Sequence, residues 1–111
     1  MSDLAIIRRN TGGTVIIEAP EGRYRLSKDD IRDILFYGHR VSVDRDEGDS
    51  EDTRAIVFGK RPGFNGARRI FFCTPSRCFS IADLSFVSVV KGKWSAASMV
   101  ADPLQAADHV A

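Results

Sequence analysis

Cys73 and Cys78 stand five residues apart in "FFCTPSRCFS" and are the chain's only thiols. Thiols can act as redox couples, metal ligands or nucleophiles, and spacing separates these roles. CxxxxC is not the CxxC of thiol oxidoreductases. A structural zinc takes four ligands, of which this pair supplies two. If Pro75 and Ser76 centre a turn, Cys73 faces Cys78, Phe72 faces Phe79, and Ile70 faces Ile81. Directly opposed cysteines are within reach of a disulfide, although closing so short a loop adds little stability. Small buried cysteines usually pack as reduced thiols. That state is expected here, in a cytoplasm, because "MSDLAIIRRN" has an acid where an export signal needs bases.

The second stretch with chemical potential is "GKRPGFNGARR", Gly59 to Arg69. Lys60 and Arg61 enter a Gly/Pro loop, Phe64 lies near its tip, and Arg68 and Arg69 leave it. Like charges facing each other weaken a hairpin unless something neutralises them. A phosphate backbone could do so, with Phe64 stacking on a base. Solvated strand ends, with Asp or Glu from the acidic loop of Asp44 to Asp52 lying across them, are the plainer alternative. Arg8, Arg9, Arg77, Lys91 and Lys93 with Trp94 would widen the patch if they fold nearby, but Trp94 is expected to cap the edge of the core.

A third stretch, "DRDEGDSED" from Asp44 to Asp52, has a local charge of −5, which leaves +6 for the rest of a chain whose net charge is +1. Read as an EF-hand from Asp44, it places Gly48 at position 5 and Ala55 at position 12, so the calcium motif fails. His39 and His109 make no metal spacing. There is no P-loop, dinucleotide fingerprint or zinc-protease helix motif. No cofactor and no metal site are expected.

The elements that must position these residues follow from hydrophobic periodicity. A chain of 111 residues, 43% hydrophobic and 28% charged, suits one globular domain. No run approaches the roughly 20 apolar residues of a membrane helix, so no membrane partner is expected. "LAIIRR" and "TVIIEA" flank "NTGG", a hairpin signal, and "RYRL" reads as a third strand. In "LSKDDIRDILFYG", Ser27 and Asp30 form a capping box. Leu26 and Ile31 form a staple, and Ile31, Ile34 and Leu35 form one apolar stripe. Gly38 follows as a C-terminal cap. The spacing predicts one helix over about residues 28–37. "HRVSVDR", "RAIVFGKR", "RRIFFCT" and "CFSIADLSFVSVVKG" all read as strands, the last interrupted at "IADLS" by a turn or 3₁₀ segment. The expected fold is α+β, a mostly antiparallel small barrel or strongly bent sheet with one short inserted helix. Residues 1–94 form the domain and 95–111 an Ala-rich tail, weakly ordered or a docked helix.

In this register Val57 opposes Phe72, Phe58 opposes Phe71, and Arg61 opposes Arg68. Ile70, Phe72, Phe79, Ile81 and Val57 gather on one face. Ile56, Phe58, Phe71, Cys73 and Cys78 gather on the other. Both faces are apolar, so something must cover the second, either the helix or another copy of the chain. The leading expectation is a non-enzymatic interaction or structural protein that self-associates, as a homodimer, through Ile56, Phe58 and Phe71. The alternative is a single-stranded nucleic-acid-binding module using Lys60, Arg61, Phe64, Arg68 and Arg69. A small enzyme with an unrecognised site is the remote third reading.

Overall fold

The turn residues divide the apolar runs into strands of three to six residues, and antiparallel pairing follows wherever a short turn joins two runs. A computed structural model of the chain describes residues 4–46, 54–61 and 67–100. Its strands are β1 (Leu4–Arg9), β2 (Val15–Ala19), β3 (Gly22–Leu26), β4 (Val41–Val43), β5 (Ala55–Lys60), β6 (Arg69–Cys73), β7 (Cys78–Ala82) and β8 (Trp94–Met99). Helix α1 (Lys28–Phe36) lies between β3 and β4, and α2 (Asp83–Val90) lies between β7 and β8. The eight-stranded sheet runs β3-β2-β1-β8-β7-β6-β5-β4, so strands adjacent in sequence pair everywhere except between β3 and β4, and β1 closes onto β8. This is an up-and-down meander rolled into a nearly closed antiparallel barrel. The remaining seam, between β3 and β4, is bridged by Tyr24 with Arg45 and by Asp46 N–H donating to Arg23 C=O at 2.8 Å.

Side chains fill the barrel. Ala5, Ile7, Val15, Ile17, Tyr24, Leu26, Val57, Ile70, Phe72, Phe79, Ile81 and Ala97 alternate inward along their strands and form one buried cluster. Ile31 and Ile34 of α1 and Phe86 and Val89 of α2 belong to the same cluster. Strand direction explains why. β3 ends, β4 begins, β7 ends and β8 begins at the same end of the barrel, so both helices sit there as caps. We call this the helix end. The β1–β2 turn and the β5–β6 connection open at the same end, whereas the β4–β5 and β6–β7 connections open at the opposite, turn end.

The capping expectations for α1 hold. Ser27 Oγ accepts from Asp30 N–H at 3.1 Å, and Asp30 Oδ2 accepts from Ser27 N–H at 3.0 Å. Gly38 follows the C-cap with φ +66°, a left-handed angle that a β-carbon disfavours. Three expectations are corrected. The interruption at "IADLS" is a full second helix, α2, because Phe86 and Val89 at helical spacing bury against the barrel interior. The tail does not begin at residue 95, because Trp94–Met99 is a strand seated between β1 and β7. Its proposed docked or weakly ordered remainder, 101–111, lies outside the described residues. The helix does not cover the second face of the β5–β7 unit, because α1 contributes to the barrel core instead. Among the described residues no helix is long and apolar enough to cross a membrane.

Candidate functional site

The β5–β6–β7 register is the one the sequence predicts: Val57 with Phe72, Phe58 with Phe71, Ile70 with Ile81, Phe72 with Phe79, and Cys73 with Cys78. The outer face of this unit therefore holds Ile56, Phe58, Phe71, Cys73 and Cys78, as expected. Phe58 and Phe71 stack with ring centroids 5.4 Å apart. They are not open to a partner. Phe58 is 3% and Phe71 5% exposed within the single chain. Val100 packs on this cluster, its N–H donating to Cys78 C=O at 2.8 Å, and the Arg40 guanidinium stands 5.8 Å over the Phe58 ring. Ile56 is partly buried in the same cluster.

The thiol expectation is corrected too. Cys73 and Cys78 form a disulfide, with Cα atoms 4.0 Å apart across a non-hydrogen-bonded pair, next to the Thr74–Arg77 turn. The register that aligns the two phenylalanines necessarily opposes the two cysteines at this spacing. Neither sulfur is left as a metal ligand or nucleophile. Among the described residues no group of three His, Cys, Asp or Glu side chains could hold a metal ion. Reduction is expected to lower stability by about 2 kcal/mol, the chain-entropy value for so short a loop. The check is the denaturant midpoint with and without a dithiol reductant. An unchanged midpoint would show that the thiols are free in solution.

The basic residues divide by strand parity. Lys60 and Arg69 pair across β5 and β6 and point to the outer face beyond Phe58 and Phe71, where Arg69 Nε donates to Ser80 Oγ at 3.0 Å. Arg61 and Arg68 stand one step past the paired residues, at the rim of the helix end. Gly59 gives Arg68 room, since an added β-carbon there would lie 3.4 Å from its Nη2. Phe64 falls outside the described residues.

The topology brings other clusters to the same rim. Asp83 N–H donates to Arg68 C=O at 3.4 Å, so the start of α2 adjoins the basic hairpin. α2 then ends in a Schellman turn. Gly92, at φ +107°, donates to Val89 C=O at 2.9 Å and Lys93 to Ser88 C=O at 3.0 Å, which turns Lys91 and Lys93 outward. Trp94 begins β8 opposite Arg8, with Arg9 next along β1. Lys28, the first residue of α1, lies across Gly13 of the β1–β2 turn. Phe36 and Tyr37 close α1 just before β4. Exposed aromatic rings stand among these bases: Phe36 is 79% and Trp94 71% exposed, and Tyr37 is exposed beside His39 at 5.7 Å. Trp94 therefore does not cap the core edge, contrary to expectation.

Arg9, Lys28, Arg61, Arg68, Lys91 and Lys93 are exposed and pair with no carboxylate among the described residues. The acids of α1 are largely engaged: Asp30 in its cap, Asp29 and Asp33 with Arg32 at 3.5 and 3.7 Å. Arg77 does not join the patch. It lies at the turn end, where its Nε stands 2.9 Å from Glu21 Oε1.

The acidic stretch leaves β4 and enters β5 at that same turn end, with Asp44 and Arg54 paired at 2.9 Å across its base. A cleft of about 480 Å³ lines the β3–β4 seam there, formed by Glu21, Gly22, Arg23, Arg45 and Asp46. Its charged side chains are engaged by neighbours: Asp46 by Arg25 at 3.7 Å, Arg23 by Glu18 at 3.5 Å and Glu21 by Arg77 at 2.9 Å, while Arg45 Nη1 donates to Glu21 C=O at 3.0 Å. Burial, reinforced by the Glu21 charge, raises the pKa of Tyr24 at this seam above its ordinary value of 10.0.

On the outer face of β1–β2–β3, Glu18 accepts from Arg8 Nη2 at 2.6 Å and lies 3.5 Å from Arg23. The hydrogen bond from Arg8 lowers the Glu18 pKa. No family model, no curated protein and no solved structure matches the chain.

Proposed function

We propose that the protein is a non-enzymatic binding module that takes single-stranded nucleic acid at the helix end of its barrel. The observation that carries this reading is the segregation of charge and exposed rings. Six exposed cations with no carboxylate partner among the described residues meet Phe36, Tyr37 and Trp94 at one end, while the base of the acidic stretch stands at the other. Cations neutralise phosphates and release counterions. Rings left in water give bases a stacking surface that duplex DNA cannot use. Neither helix, of nine and eight residues, projects to enter a groove, since both bury their apolar residues in the barrel core.

Self-association through Ile56, Phe58 and Phe71 lacks comparable support, because one chain already buries the two phenylalanines. The test is fluorescence anisotropy with labelled single-stranded and duplex oligonucleotides over a range of salt. Affinity for the single strand should fall linearly with log salt and exceed that for the duplex. A flat titration at low salt would overturn the proposal, as would a preference for the duplex.

A further inference from the structure

Resting on that reading, we infer that Trp94 is a base-stacking platform, a contact separate from the basic hairpin and chemically distinct from it. Trp94 is the chain's only tryptophan, and it stands in the first position of β8, paired with Arg8 of β1. Such a residue would ordinarily be buried or capped, yet 71% of it meets solvent. Its neighbours leave the ring open. Ala97 points into the core, so Ala96 and Ser98 follow Trp94 on the outer face, and neither is large enough to lie over the indole.

The surroundings fit a nucleotide rather than an apolar partner. Across the strand pair Arg8 is held in place by Glu18, with Nε at 3.2 Å and Nη2 at 2.6 Å from one carboxylate oxygen. Lys93 immediately precedes the ring and is turned outward by the Schellman bonds. Arg8 is kept off the ring by its ion pair to Glu18. A flat π-face beside the exposed Lys93, which has no carboxylate partner among the described residues, can stack one base while the lysine meets its phosphate. β8 is separated from β6 by one strand, and the start of β8 and the end of the basic hairpin lie at the same end of the barrel. One strand of nucleic acid can span both.

A short oligothymidylate is the probe, read through the fluorescence of this single tryptophan and through anisotropy. Binding should quench the fluorescence. Trp94→Ala should weaken affinity by about 5- to 100-fold, the range seen when a stacked ring is removed, and leave the salt slope of the wild type unchanged. Trp94→Phe should restore much of the loss. Inorganic polyphosphate, which has no bases, should bind without quenching and equally well to Trp94→Ala. If the oligonucleotide binds with a steep salt slope but neither quenches Trp94 nor weakens in Trp94→Ala, stacking is overturned and the charge-based reading stands. If polyphosphate and oligothymidylate depend on Trp94 alike, stacking is also overturned. Absence of any oligonucleotide binding overturns both readings together. The exposed position lets the alanine variant fold, and its melting curve confirms this.

Discussion

Phe86→Ala should destabilise the protein by about 3–5 kcal/mol, a large share of the roughly 5–15 kcal/mol that holds a domain together. Phe86 is fully buried in the barrel cluster. The effect belongs at the upper end of the range because α2 has little helix stability of its own. Its sequence, "DLSFVSVV", is rich in β-branched residues, and Ala82 provides no side-chain cap. Packing of Phe86 and Val89 therefore holds the helix in place, and the helix in turn connects β7 to β8. Loss of the ring leaves a cavity that the surrounding barrel cannot close, since its strands are fixed by ladders on both sides. Urea unfolding followed by far-ultraviolet circular dichroism should show a lower midpoint with an unchanged slope. Leu84→Ala, two residues earlier on the solvent side, should change stability by no more than about 0.5 kcal/mol. A Phe86→Ala loss below about 1 kcal/mol would remove Phe86 from the core.

The contrast between α1 and α2 shows what a single sequence can reveal about this fold. α1 announces itself through local chemistry: a capping box, a staple and a glycine stop, each formed by residues close in the chain. The hairpins are equally legible, since alternation and a two-residue turn fix the Cys73–Cys78 register before any coordinates. α2 is not legible. "SFVSVV" alternates like a strand, and only the shape of the barrel interior selects the helical spacing of Phe86 and Val89. β8 is obscured for the opposite reason. Ala96 and Ala97 give almost no alternation, and the strand is held by ladders to β1 and β7 that no local pattern encodes.

The candidate site was half legible. The cations of the basic hairpin stand out as a cluster in sequence. Their meeting with Lys91, Lys93, Arg9 and Trp94 depends on strand direction around the whole barrel. The apolar outer face is legible in the sequence as a set of residues, but its cover is not. Val100 and Arg40 supply that cover from segments distant in sequence.

Reversing both rim charges, Arg61→Glu with Arg68→Glu, should separate binding from stability. Each phosphate contact on a single strand contributes about 0.7 to the slope of log affinity against log salt, so two lost contacts flatten it by about 1.4. At about 0.1 M salt the counterion term alone then predicts roughly a 25-fold loss of affinity, and repulsion between the new carboxylates and phosphates deepens it. Stability should move the other way or not at all. Lys60 and Arg69 already face each other across the hairpin, with Arg61 and Arg68 crowding the next step, so the free protein holds like charges together at a cost of tenths of a kcal/mol. The double variant turns the repulsion from Lys60 and Arg69 into attraction, which offsets the repulsion between the two new carboxylates. Anisotropy titrations at several salt concentrations, paired with thermal melts, should give weaker binding, a shallower slope and a melting temperature no lower than that of the parent. On the proposed reading, a bound phosphate neutralises Arg61 and Arg68. A variant that melts lower while binding as before would assign these arginines to the fold instead.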